Sequence, residues 1–188
     1  MTAIPLVSLL LFGSAIIIGY VFVFGFAWGA GYYPTPAKAI DDAGKLLDPK
    51  EGDRVFDLGC GFGKVVLRLA KRYPNVYFTG VEVDPIKFLW CKLAIRANHL
   101  GGRVEVVRKN LLRMDLSDAS GIFVFLSQET SIMDRLQKKV FAETREGTRV
   151  VSYVHRFKHW TPSERAGETS LYVVSRRGKL EEEQEKIA

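Results

Sequence analysis

The chain is poor in soft metal ligands: Cys60 and Cys91 are its only cysteines, and its three histidines, His99, His155 and His159, are scattered. With no CxxC pair and no histidine cluster beside either cysteine, neither a zinc site nor a disulfide framework is expected. Cys60 reads as a small core filler rather than a nucleophile. Charge is missing from the whole N-terminal end, where the first charged side chain is Lys38.

That charge-free stretch is also apolar. IPLVSLLLFGSAIIIGYVFVFGFAW, from Ile4 to Trp28, is 25 residues long, and about 20 suffice to cross a bilayer core. A secretory signal peptide would need a basic segment before a shorter apolar run, and the sequence has neither. A single transmembrane helix is therefore expected within residues 1–33, with Trp28, Tyr32 and Tyr33 at the lipid interface. With no Lys or Arg on its N-terminal side, the catalytic domain is expected on the cytoplasmic side. Small residues four apart, Ala15 with Gly19 and Gly25 with Gly29, leave oligomerisation through the span open.

The excess of 27 Lys/Arg over 21 Asp/Glu lies beyond that stretch, and residues 54–113 hold twelve basic against four acidic side chains. Such a surface suits anionic lipid, acidic protein or nucleic acid, and equally a merely solvated face. Lys64, Arg68, Lys71 and Arg72 along one helix read as a solvated or lipid-facing stripe. The tail from Arg176 is charged but balanced, which divides the chain into 1–33, a domain over 34–175 and a tail over 176–188.

Within the domain, helical and strand periods alternate. Helices are expected over 37–47, 64–72, 85–99 and 131–143, and strands over 54–58, 76–83, 103–107, 121–126, 148–154 and 171–175. Strands separated by helix-length segments give right-handed βαβ crossovers and a doubly wound, mostly parallel α/β sheet. The last strand follows a loop, so it is expected to run antiparallel. The short run from Pro162 to Thr169 suggests that one strand is trimmed.

Residues 57–64 read DLGCGFGK at the carboxyl end of the first strand. Glycine allows tight positive-φ turns and lets a ligand approach the main chain. Glu82, about twenty residues on, closes the second strand where a carboxylate can accept hydrogen bonds from ribose hydroxyls. Together these ask for an adenosine-type ligand. The spacing GxGxG is neither the dinucleotide GxGxxG nor the P-loop GxxxxGK[ST]. Asp57 would repel a pyrophosphate but suits the ammonium of an amino-acid moiety. The whole pattern is that of Rossmann-like S-adenosylmethionine-dependent methyltransferases.

Further segments narrow the resemblance. YYPTP (32–36), FDLGCGFGK, GVEVDP (80–85), RKNLL (108–112) and GTRVVSYVHRFKHWTP (147–162) resemble the small archaeal protein-lysine methyltransferases and the membrane-anchored lysine methyltransferase of the mitochondrial ATP synthase c subunit. The resemblance implies that S-adenosylmethionine is held by Asp57, Gly59 and Gly61 at its methionine end, by Glu82 at the ribose, and by Asn110 and Leu111 at the adenine. Tyr33, Thr35 and Pro36 would form a flap over it. Residues 125–128, led by Phe125, would face the methyl group, and His159 and Trp160 would line the acceptor channel. Phe125 and Leu126 have a plain core reading as well, His159 a surface one, and Trp160 could seal the sheet edge.

The implied acceptor is a lysine amine of a protein, with the membrane as setting. Its proton must leave first, which at pH 7 takes roughly 4.6 kcal/mol for an unperturbed lysine, whose pKa is about 10.4. An aromatic channel of Tyr33, Phe125 and Trp160 beside a sulfonium would lower that pKa, and no general base stands out. The tether leaves transfer to a lipid, quinone or other apolar molecule open, as well as a cofactor-binding scaffold without catalysis. Nucleic acid is not expected as a partner, because the fourth strand does not end in the Asn/Asp-Pro-Pro-aromatic segment of base amino-group modifiers.

Overall fold

The computed structural model describes residues 3–22, 33–126 and 130–175, in two compact units that divide between Tyr33 and Pro34. In the first unit, helix α1 runs Ala3–Phe22. The side chains of residues 6–20 are described there and are nearly all exposed, large apolar ones included. Among the described residues no helix is long and apolar enough to cross a membrane. The span expected from Ile4 to Trp28 is thus unsupported by the described helix. Trp28, Tyr32 and the Gly25–Gly29 pair lie outside the described residues, as does the tail from Arg176.

The second unit alternates as the periodicity requires: α2 (Ala37–Leu47), β1 (Arg54–Leu58), α3 (Lys64–Arg72), β2 (Tyr77–Glu82), α4 (Pro85–Ala97), β3 (Val104–Arg108), β4 (Gly121–Val124), α5 (Thr130–Glu143), β5 (Arg149–Tyr153), β6 (Glu164–Ala166) and β7 (Thr169–Val173). The strands form one sheet in the order β3-β2-β1-β4-β5-β7-β6. The five strands from β3 to β5 are parallel, and β7 is antiparallel to both β5 and β6. The expected trimming does not occur. Glu164–Ala166 is a short strand that folds back on β7, and a three-residue edge piece is too brief to show a period.

Alternation along each strand splits the core in two. Val55, Phe78, Phe123 and Val151 point to the face covered by α2, α3 and α4. Their neighbours Phe56, Val81, Ile122 and Val150 point to the face covered by α5. All residues of both clusters belong to the second unit.

Lys64, Arg68, Lys71 and Arg72 of α3 are all exposed, in keeping with the solvated reading, and three of them also reach neighbouring segments. Arg68 donates two hydrogen bonds of 2.8 Å to Asp41 on α2, and Arg72 stands 3.8 Å from the same carboxylate. Lys64 Nζ donates to the Thr35 carbonyl at 2.9 Å.

Candidate active site

The strand order reverses between β1 and β4, so the crevice at their carboxyl ends is where an open α/β sheet takes a ligand. The glycine loop leaves β1 there. Gly59, Gly61 and Gly63 all have positive φ, at 89°, 56° and 78°, which an L side chain rarely adopts. The N–H groups of Gly59 and Cys60 both donate to the Val81 carbonyl, at 2.8 and 3.0 Å, and tie the loop to the end of β2. At Gly63 a Cβ would run into Cys91 Sγ of α4, at Gly59 it would come within 3.2 Å of Leu126, and at Gly61 it would meet open space. The loop is therefore packed on two sides and bare at Gly61. Cys60 and Cys91 are buried free thiols within one core cluster, in keeping with a filler role.

Glu82 organises the opposite wall. Its Oε2 accepts the Gly61 N–H at 2.8 Å, and its Oε1 accepts the N–H groups of Val83 and Asp84, each at 2.9 Å. Asp84 in turn caps α4, accepting from Ile86 N at 2.8 Å and Lys87 N at 3.2 Å. A carboxylate has about four lone-pair positions, so Glu82 holds the loop and retains acceptor capacity for a hydroxyl. Lys109 N donates to the Glu82 carbonyl at 3.1 Å, which brings Asn110 alongside. The exposed Asn110 uses its Oδ1 to accept from Leu112 N at 2.9 Å, opening a 3-10 turn over Leu111–Arg113. Leu111 is half-buried against the α5-side core.

Asp57 is buried at the end of β1, and its Oδ2 has no hydrogen-bond partner. Burial, with the nearby Glu82 adding to it, pushes its carboxyl up to about 8. A buried carboxyl oxygen without a donor, beside a bare glycine face, fits a ligand that brings a cationic group. These residues suit the methionine end of S-adenosylmethionine.

The carboxyl ends of β4 and β5 hold two side chains that sequence reasoning missed. Phe125 meets Tyr153 edge-on, with centroids 4.9 Å apart, and stacks with His155 at 6.3 Å and 15°. The ends of β4 and β5 thus carry one aromatic cluster. Between its last two members, Val154 has φ 65°, an outlier for a β-branched residue. His155 N donates to the Tyr153 carbonyl at 2.8 Å and Val154 N to the Glu168 carbonyl at 2.9 Å, while Ser152 Oγ donates to the His155 carbonyl. This strained turn fixes how His155 leaves the strand. A signal was present in VSYVHR, which sets one ring at the end of the strand neighbouring β4 and a second just past it.

Thr35 stays beside the glycine loop, its carbonyl accepting from Lys64 Nζ at 2.9 Å. Trp160 is buried in the core against Phe141 at 4.5 Å, Tyr172 at 5.1 Å and Phe157 at 5.4 Å. It braces the sheet, and its ring is not free to line a channel. His159 is exposed on the preceding turn. Thr35 is buried, whereas Pro36 is exposed as the N-cap of α2. Tyr33 is exposed. Of residues 125–128, the last two lie outside the described residues.

The family described as the ANTKMT methyltransferase domain matches residues 57–164. A protein-lysine N-methyltransferase of Saccharolobus islandicus is 32% identical over 133 residues, covering 71% of this chain and 81% of that protein. The ATP synthase c-subunit lysine N-methyltransferase of Rattus norvegicus is 26% identical over 138 residues, 73% of this chain and 61% of that protein; the chain thus spans about three-fifths of that relative's length. Among solved structures, an RNA methyltransferase from Salinibacter ruber in complex with S-adenosyl-L-homocysteine superposes with a TM-score of 0.69. It is 26% identical, and the match covers 76% of this chain and 92% of that one. A glycine loop of methyltransferase spacing, an acid closing β2 and an orphaned carboxyl oxygen agree with these likenesses, and the chain belongs to the ANTKMT methyltransferase-domain family of S-adenosylmethionine-dependent enzymes.

Proposed function

We propose that the chain transfers methyl groups to lysine ε-amines of proteins at a membrane, its N-terminal segment serving as anchor and its catalytic domain lying on the cytoplasmic side. The observation that carries the lysine reading is the cluster of Phe125, Tyr153 and His155 at the strand ends next to the glycine loop. When bound, S-adenosylmethionine supplies an activated methyl group. The protein's own tasks are then placement and desolvation, which alone can contribute several kcal/mol. Asp57 holds the cofactor's cationic end and Glu82 its ribose. Phe125 and Tyr153 exclude water around the incoming amine and lower its pKa. The His155 imidazole borders the same space and is the group we assign to accept the amine's proton.

The likeness to protein-lysine methyltransferases supports this acceptor class. The apolar, charge-free run from Ile4 to Trp28 supports the anchor, which would raise the local concentration of membrane substrates. Incubating native membranes with methyl-labelled cofactor and separating protein from lipid and RNA tests the reading. Label in protein lysines is the expected result. Label in lipid alone would move the acceptor to an apolar small molecule, and label in RNA alone would align the chain with the Salinibacter RNA methyltransferase instead.

A further inference from the structure

Helix α4 is apolar on two opposite sides. Cys91 and Ile95 face the core. Ile86, Leu89, Trp90 and Leu93 recur at the i, i+3, i+4, i+7 spacing of a second stripe and are 53%, 56%, 60% and 57% exposed. A surface helix ordinarily turns polar residues outward, so this stripe awaits a covering. Its charge says which kind. Lys92 and Arg96 are exposed on the same helix, and residues 85–104 contain no carboxylate at all. At the neighbouring sheet edge, β3 ends in the exposed Arg108, which the exposed Lys109 follows. Apolar side chains led by a tryptophan and flanked by cations match a bilayer surface with anionic headgroups, where the rings enter the acyl boundary and each Lys or Arg attracts the anionic surface. The stripe also touches the cofactor loop, because Phe62 packs edge-on against Trp90 at 6.2 Å and 88°.

We infer that the outer face of α4 is a membrane-docking surface of the catalytic domain, specific for anionic lipid and separate from the N-terminal segment. The inference rests on the reading that this protein works at a membrane. The test uses the full chain carrying Trp28→Phe, in lipid nanodiscs with acyl chains brominated near the headgroup. Trp160 is sealed between Phe141, Phe157 and Tyr172, so lipid-dependent quenching reports Trp90. At the ~5–10 Å depth of an interfacial helix, Trp90 emission should lose roughly half its intensity in anionic discs. Little should be lost in neutral discs or in the Lys92→Glu/Arg96→Glu variant, whose fold is checked by S-adenosylhomocysteine binding. A chain that co-fractionates with the discs but is not quenched, or is quenched equally in neutral lipid, overturns this inference alone. A chain that stays out of the discs altogether overturns the membrane reading with it. Unquenched Trp90 combined with reduced protein methylation in Leu89→Asp/Leu93→Asp would assign the face to a protein partner instead.

Discussion

On the proposed reading, Asp57 makes cofactor binding a proton-linked event. With its carboxyl pushed up to about 8 by burial and by Glu82, it is protonated at pH 7 in about ten molecules of eleven. A cation arriving at Oδ2 favours the carboxylate, so binding should expel about 0.9 proton at pH 7. That expulsion costs about 1.4 kcal/mol, or tenfold in affinity. Titration calorimetry with S-adenosylhomocysteine, in two buffers of different ionisation enthalpy, counts the protons directly. The ligand's own amine titrates near the same pH, so the informative quantity is the difference between wild type and Asp57→Asn. Wild type should release about 0.9 proton more, and its affinity relative to the variant should rise about tenfold between pH 7 and pH 9. The sign for stability is opposite. The folded pKa lies above the unfolded value of about 3.9, so the cofactor-free protein holds more protons folded than unfolded. It should lose stability as pH rises from about 4 to 8 and continue to lose it above, as the buried carboxyl ionises, only until that ionisation is complete. Asp57→Asn should therefore melt no lower than wild type at pH 8 while binding the ligand more weakly. Equal proton release in the two proteins would refute the linkage.

Other substitutions separate packing from chemistry. Gly63→Ala meets both a φ of 78° and the Cys91 sulfur, and should lower stability by about 2 kcal/mol; thermal melts of this variant with and without Cys91→Ala would divide the steric part from the backbone part. Val154→Gly relieves a left-handed β-branched residue and should leave stability unchanged or raise it by about 1 kcal/mol, yet lower turnover by freeing His155; a loss of stability would argue against strain at this turn. Phe125→Ala should reduce kcat at least about tenfold through poorer positioning and desolvation, with S-adenosylhomocysteine affinity little changed in the same preparation.

Much of the architecture was legible because it is local. Helices α2 and α3 and strand β1 carry their own periods and stop signals, and the sequence bounds them as the structure does. Glu82 was placed at the end of β2 for the same reason, since strand and acid are contiguous. What escaped was set by partners far along the chain. The resemblance places Trp160 in the acceptor channel and its plain reading at the sheet edge, but Phe141 of α5 and Tyr172 of β7 enclose it. His155 joins the site through a positive φ at Val154, where no glycine announces a turn. The solvated reading of the α3 stripe holds, but its ion pair to α2 was hidden because Asp41, the partner of Arg68, lies 27 residues upstream.

Glu82 also bears on how fast the cofactor is captured. It already closes the glycine loop through Gly61 and steadies the start of α4 through Asp84. The site is therefore shaped before the cofactor arrives, and association spends little conformational entropy on ordering the backbone. Capture of the cofactor should then be limited by encounter and by the proton leaving Asp57, while residence time is set by how well that finished frame grips the adenosine.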